Sequence, residues 1–192
     1  MDAKELFDSG NLSGAIDQLV HDVRTHPRDQ KSRIFLFELL CFAGEVERAG
    51  RQLDAVAQTS GDVKVEIGAQ AFRTVLEAEM ARRKFFTGSD RTPKFFSEPP
   101  PYAKFHIDAV AQWREGKLDE LEKSLQDSEQ MRTSVAGEQE GRTFASFRGV
   151  DDLVGPFLEV FSQSDYYWLP FEQIKRVEIQ SPSTLRDLLW TS

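Results

Sequence analysis

Apolar residues recur at helical spacing through the first half of the chain. Four of them stand at positions i, i+3, i+4 and i+7, namely Ile16, Leu19, Val20 and Val23. This spacing predicts one apolar stripe on a helix from about residue 13 to residue 25. Residues 34–42 are apolar on almost every side, which is typical of a helix buried on both flanks. The first half is therefore predicted to be an array of packed helices.

The helical pattern repeats with a period that two glycines mark. Gly44 follows Gly10 by 34 residues, and Ala49 follows Ala15 by the same distance. This is the length of a tetratricopeptide repeat, in which two antiparallel helices form one unit. Glycine permits the turn between the helices, and the small alanine lets them approach closely. We expect Gly10 and Gly44 to occupy equivalent helix–helix turns.

Further helices are predicted after these two hairpins. The apolar spacing indicates one long helix from Asp62 to Lys84. The segment 87–102 is predicted to be an ordered loop, because its closely spaced prolines oppose both helix and central strand. A third hairpin turns at Gly116, and its second helix has an apolar stripe formed by Leu118, Leu121 and Leu125. The helical region is predicted to end near Met131.

The apolar pattern changes to a period of two after Gly137. Three runs rich in aromatic and β-branched residues predict strands: 156–161, 166–171 and 174–179. The polar residues 162–165 suit the loop of a β-hairpin between the first two runs. Residues 143–147 are a candidate edge strand. In the third run Arg176 and Glu178 alternate with apolar residues, which predicts one wet and one dry face.

These patterns predict an α+β chain with two parts. Residues 1–132 would form a tetratricopeptide-like α-α superhelix, and residues 133–192 a small antiparallel β domain of three or four strands. Ser183 or Thr184 is expected to cap a final short helix with the apolar residues Leu185, Leu188, Leu189 and Trp190. So small a sheet cannot leave both aromatic faces in water. We therefore expect Trp168 to be buried against the C-terminal segment or the third helical hairpin.

Composition and charge restrict the function. The chain has 192 residues, with 24 Lys and Arg against 32 Asp and Glu, and a net charge of −8. Such an acidic chain has no general attraction to the phosphates of nucleic acids. The charged N-terminus does not resemble a secretory signal, and the longest apolar stretch, 34–43, is too short to span a membrane. We expect a soluble cytoplasmic protein that binds neither nucleic acid nor membrane.

The sequence has no arrangement typical of an active site. Glycine-rich phosphate loops and the common hydrolase motifs are absent, and one cysteine with three histidines opposes a zinc site. Cys41 lies in the most apolar helix, where burial makes a thiol inert. His106 is expected to be a packed or surface residue, and Asp151 and Asp152 to cap a turn. We expect no catalysis, metal or cofactor.

Three segments of the last third resemble a known family. They read Val150-Asp-Asp-Leu-Val-Gly-Pro-Phe-Leu-Glu-Val-Phe, Asp165-Tyr-Tyr-Trp-Leu-Pro-Phe-Glu-Gln-Ile and Ser181-Pro-Ser-Thr-Leu-Arg-Asp-Leu-Leu-Trp190. With the helical first half, they resemble the ImpE/TagJ family of accessory proteins of bacterial type VI secretion systems. The resemblance implies a non-enzymatic adaptor that binds an N-terminal helix of the small, TssB-like sheath subunit. It also implies a link to the ClpV-type ATPase that disassembles the sheath. Family members usually continue past the Leu-Leu-Trp segment.

A superhelix of helix pairs has a groove lined by the first helix of each pair, which suits an amphipathic helix as ligand. The repeat register assigns five residues of the second hairpin to this groove: Lys31, Ile34, Glu38, Cys41 and Phe42. If the long third helix covers them, the same residues would be core. An alternative function is a general tetratricopeptide-like co-chaperone or scaffold that binds another peptide. Clustered basic residues would indicate that function, and only Lys31 occupies a suitable groove position.

Overall fold

The computed structural model describes residues 1–88 and 91–191, so two residues of the predicted loop 87–102, Ser89 and Asp90, lie outside it. The described residues form seven α-helices: α1 (Ala3–Asp8), α2 (Leu12–Thr25), α3 (Gln30–Phe42), α4 (Val46–Ser60), α5 (Val63–Thr87), α6 (Ala103–Glu115) and α7 (Leu118–Met131). They also form four strands: β1 (Gly137–Gln139), β2 (Arg142–Phe144), β3 (Phe157–Ser162) and β4 (Asp165–Pro170). The α+β class and the tetratricopeptide-like helices predicted from the sequence are confirmed.

The chain divides into two compact units. The first contains Met1–Leu76 and the C-terminal segment from Glu178, and the second contains Glu77–Val177. Helix α5 therefore contributes its first half to one unit and its second half to the other. The sequence-based division into residues 1–132 and 133–192 stays a prediction.

The helical repeat of the first unit has two matching turns. Gly10 joins α1 to α2 with φ of 83°, and Gly44 joins α3 to α4 with φ of 75°. Glycine adopts this left-handed conformation without the steric cost that a Cβ imposes. The amide of Gly10 donates to Phe7 O at 2.9 Å, and the amide of Gly44 donates to Cys41 O at 3.0 Å. Because Cys41 follows Phe7 by 34 residues, the two turns are equivalent, as predicted.

The core of the first unit lies on helix α3. Leu36, Phe37, Leu39 and Leu40 are all buried there. Ala15 of α2 and Ala49 of α4 are fully buried at the repeat positions where the sequence predicts close packing. The carboxylate of Asp29 accepts from the amides at the start of α3 and fixes where this helix begins. The predicted buried inner helix is confirmed.

The second unit is organised around the β3–β4 hairpin, whose antiparallel register pairs Phe157 with Pro170 and Ser162 with Asp165. Trp168 of β4 is fully buried. Its ring stacks on Phe157 at 4.7 Å between centroids and meets the edge of Phe85 at 5.4 Å. Ala103 and Val110 of α6 belong to the same apolar cluster. The predicted burial of Trp168 is confirmed, in a cluster shared with the third helical hairpin.

The prediction of one sheet of three or four strands is wrong for the described residues. The strands form two separate two-stranded sheets, β1–β2 and β3–β4, so residues 142–144 are not an edge of the main hairpin. Residues 174–179 form no strand, and Val177 and Ile179 are both exposed, so the predicted dry face does not exist. Pro170 ends β4 and a 3₁₀ turn, Phe171–Gln173, follows it. The open edge of β4 is already occupied by Lys94, whose amide and carbonyl pair with β4 at 2.9 Å each.

The predicted leucine stripe of α7 is also wrong. Leu118 is exposed, and the residues that α7 buries are Ser124 and Ser128. Helix α7 faces a buried histidine, His106 of α6, which needs a polar partner rather than a leucine. Ser128 supplies that partner.

Candidate partner-binding surface

The five groove residues predicted on α3 have different environments. Lys31 is exposed, Ile34, Glu38 and Phe42 are half-buried, and Cys41 is buried. The ring of Phe42 packs at 6.3 Å from Phe7 of α1. Cys41 thus belongs to the core, as the alternative interpretation allowed, whereas Glu38 faces another charged side chain.

The partner of Glu38 is an arginine of the C-terminal segment. Arg186 lies on a 3₁₀ helix, Leu185–Leu188, and its Nε is 3.3 Å from Oε1 of Glu38. The guanidinium carbon is also 4.0 Å from the centroid of the Phe72 ring on α5. The Glu38 and Arg186 side chains are 15% and 24% exposed, so both charges are largely removed from water. Burial raises the pKa of Glu38, and the charge of Arg186 only partly opposes this shift.

Glu38 and Phe72 occupy equivalent positions in the helical repeat. They are 34 residues apart, the same interval that separates the two glycine turns. Each lies on the first helix of its helix pair, α3 and α5, which is the helix expected to line a groove. Phe72 is held in place by Phe37, at 5.9 Å between ring centroids. We call Glu38 and Phe72 together the arginine cradle.

A capping box fixes the segment that carries Arg186. The amides of Ser183 and Thr184 each donate to Oδ2 of Asp187 at 2.8 Å, which lowers the pKa of Asp187 to about 2. The predicted cap at Ser183 or Thr184 is therefore present, on a 3₁₀ helix. On the far side of this turn Leu188 and Leu189 remain exposed. The segment is thus a short amphipathic turn with its arginine directed to α3 and α5.

Sequence reasoning found Glu38 but missed the other two residues of this site. Phe72 could have been found, because adding one repeat length to Glu38 leads to it. No comparable signal marks Arg186, because its contact with Glu38 joins segments far apart in the chain.

The second unit contains a buried polar chain that starts at Trp168. Its indole Nε1–H donates to Tyr166 Oη at 2.6 Å, and that hydroxyl donates to Glu159 Oε1 at 2.5 Å. Arg82 Nε donates to the same carboxylate oxygen at 2.7 Å. Burial raises the pKa of Tyr166, and the adjacent Glu159 carboxylate raises it further. Tyr166 therefore remains a neutral phenol that links the core to an ion pair, which is a structural role.

His106 has both ring nitrogens engaged. Nδ1 lies 2.8 Å from Leu153 O and donates to it, so Nε2 accepts from Ser128 Oγ at 2.7 Å. Burial lowers the pKa of His106 and favours this neutral form. Asp151 accepts from the amides of Leu153 and Val154 and so caps the turn, as expected. These groups stabilise the fold and are not arranged as an acid and a base around a shared cleft.

Metal-binding and membrane-spanning features were also considered for the described part of the chain. No group of three or more His, Cys, Asp or Glu is placed there to hold a metal ion. None of its helices combines the length and the apolar character needed to cross a bilayer.

A tetratricopeptide-like helical array joined to a small β-hairpin unit, with a partner-sized surface and no assembled catalytic group among the described residues, defines a protein-binding class. Residues 141–192 match the model of the family described as ImpE protein. The chain is 30% identical over 190 residues to the type VI secretion system accessory component TagJ of Pseudomonas aeruginosa, which covers 99% of this chain and 66% of that relative. The chain belongs to the ImpE family, as its C-terminal segments indicated.

A solved structure has the same fold. The crystal structure of protein VPA1032 from Vibrio parahaemolyticus matches with a TM-score of 0.89, over 98% of this chain and 70% of that one. Its sequence identity of 24% supports the fold alone. The chain spans just under two thirds of the length of TagJ, so the activity of the whole relative is not transferred to it directly.

Proposed function

We propose that this chain is a non-enzymatic adaptor of a bacterial type VI secretion system and acts in the cytoplasm. Its proposed partner is the N-terminal helix of the small, TssB-like sheath subunit, and its proposed role is to assist sheath handling or disassembly by the ClpV-type ATPase. The observation that carries this proposal is the 30% identity with an accessory component of such a system over 99% of the chain. The equivalent residues Glu38 and Phe72, on the first helices of successive repeats, support a groove that accepts a helix.

The non-enzymatic part of the proposal is supported by the residues that could otherwise perform chemistry. The thiol of Cys41 is buried, and His106 uses both nitrogens in structural hydrogen bonds. Asp151 caps backbone amides, and Asp152 pairs with Arg148. Each of these groups therefore has a role in the fold that leaves it unsuited to act as nucleophile or base.

Binding of a labelled peptide tests the proposal. A fluorescent peptide of the sheath subunit's N-terminal helix is titrated with the full chain, and anisotropy is measured. A dissociation constant below about 100 μM is expected, because specific helix ligands bind more tightly than the millimolar range. The variant Glu38→Gln should weaken binding, whereas Glu47→Gln, an exposed residue of α4, should not. No binding at about 100 μM protein would contradict the proposed function.

The ATPase link needs a separate measurement. The chain is immobilised with and without the sheath peptide, and purified ClpV-type ATPase is passed over it. If the adaptor connects the two, the ATPase is retained, either directly or only in the presence of the sheath subunit. Retention in neither case would restrict the proposed function to sheath binding.

A further inference from the structure

The arginine cradle is already filled by the chain itself. Arg186 places its charge beside Glu38 and its planar face over Phe72. A guanidinium suits both contacts, because it combines a permanent positive charge with a flat surface that stacks on aromatic rings. The two cradle residues belong to successive repeats, so an arginine seated here lies on the first helices of both. This is the position expected for a ligand of the groove.

The hold on Arg186 is incomplete. Its Nε is buried but makes no hydrogen bond among the described residues, although Glu38 Oε1 is 3.3 Å away. An arginine that is bound permanently to a carboxylate usually makes two aligned hydrogen bonds. The helix that presents Arg186 is only four residues long, and Leu188 beside it is 61% exposed. A segment held in this way can exchange with a competitor of similar chemistry.

We propose that the arginine cradle is the arginine-binding subsite of the partner groove, and that the segment Ser183–Trp190 occupies it until an amphipathic partner helix bearing an arginine displaces it. This inference rests on the proposed function and adds the chemistry of the ligand and the means of regulation. The chain's own segment supplies the pattern, because in it an arginine is followed within three residues by two leucines. The partner helix is expected to place an arginine beside Glu38 and its apolar residues nearby.

Competition within one chain has a measurable consequence. A tethered segment acts at an effective concentration of about millimolar, so it lowers the apparent affinity for any outside ligand of the cradle. Removing the arginine from the tethered segment should therefore increase the affinity for a free ligand.

The experiment uses two labelled peptides that carry residues 181–191 of this chain, one with the native arginine and one with alanine in its place. Anisotropy is measured with the full chain, with Arg186→Ala, and with the exposed-surface control Arg28→Ala. The native peptide should bind Arg186→Ala about tenfold more tightly than it binds the unaltered chain or the control. The alanine peptide should bind Arg186→Ala about tenfold more weakly than the native peptide does. Equal binding of the two peptides, or equal binding to all three proteins, would overturn the proposal.

The carboxylate is tested in the background of the vacated cradle. The double variant Arg186→Ala/Glu38→Gln should lose about tenfold in affinity for the native peptide, and Arg186→Ala/Glu47→Gln should lose none. Circular dichroism verifies that each variant retains its helices. Equal affinities of the two double variants would also overturn the proposal.

The sheath peptide separates this inference from the proposed function. If both are correct, the sheath peptide binds Arg186→Ala more tightly than the unaltered chain, and the native 181–191 peptide competes with it. Equal binding of the sheath peptide to both proteins refutes the displacement but leaves the adaptor function intact. Binding to neither protein refutes the adaptor function, and the two 181–191 peptides then decide on the cradle alone.

Discussion

Truncation of Trp168 to alanine should destabilise the second unit by about 3–5 kcal/mol, the range for large aromatic side chains removed from a core. The indole is fully buried, stacks on Phe157 at 4.7 Å and meets Phe85 at 5.4 Å. Trp168→Ala would leave a cavity between these rings. It would also deprive Tyr166 Oη of the indole N–H that donates to it at 2.6 Å. Cavity and lost hydrogen bond act in the same direction.

The measurement is urea unfolding followed by circular dichroism at 222 nm, because the substitution itself alters tryptophan fluorescence. Trp113 provides the matched control, since its side chain is 50% exposed and its truncation should cost about 0.5 kcal/mol or less. Tyr166→Phe should cost about 1–3 kcal/mol, because it leaves the buried Trp168 N–H without its acceptor. If Trp168→Ala costs no more than Trp113→Ala, the cluster does not stabilise this unit and the argument from burial fails.

Two further predictions concern a buried histidine and two glycines. Burial lowers the folded-state pKa of His106 below its ordinary value of 6.5, so the unfolded chain binds the proton more readily. Stability should therefore fall as the pH drops below about 6.5, and urea unfolding of His106→Gln between pH 7.5 and 5 should give a lower but flatter profile than the unaltered chain. A parallel pH dependence in both proteins would show that other groups are responsible. Gly10→Ala should cost about 1–2 kcal/mol, because φ at this position is +83° and the added Cβ has free space but a strained backbone. Gly68→Ala, in the interior of α5 with nothing within 4 Å, should gain up to about 1 kcal/mol, and equal thermal shifts for the two glycine variants would refute the turn assignment.

Local periodicity predicted the helical unit well, because each turn is determined by nearby residues. Gly10 and Gly44 stand between apolar stripes at helical spacing, and glycine is the residue that allows the left-handed turn found at both. The buried inner helix followed from its composition alone. These features depend on a few neighbouring residues, so a single sequence contains the necessary information.

The errors arose where a distant segment determined the outcome. Residues 174–179 have strand-like alternation, but Pro170 redirects the chain and Lys94 of the proline-rich loop occupies the edge of β4. On α7 the leucine stripe suggested the buried face, whereas His106 of the preceding helix requires Ser128 instead. In both cases the local pattern was correct as a pattern. Its partner, however, lay elsewhere in the chain.

The candidate site combines both kinds of information. Glu38 and Phe72 are set by the repeat, because one repeat length separates two residues that then lie on equivalent faces of α3 and α5. What fills the space beside them is set by Arg186, which no period connects to either residue. A repeat can thus specify a groove without specifying its occupant, and for the same reason the groove can exchange one occupant for another. Selectivity must then come from the cradle's chemistry, a carboxylate beside an aromatic ring, which admits arginine more readily than lysine because only the guanidinium is planar enough to stack on Phe72 while its charge faces Glu38.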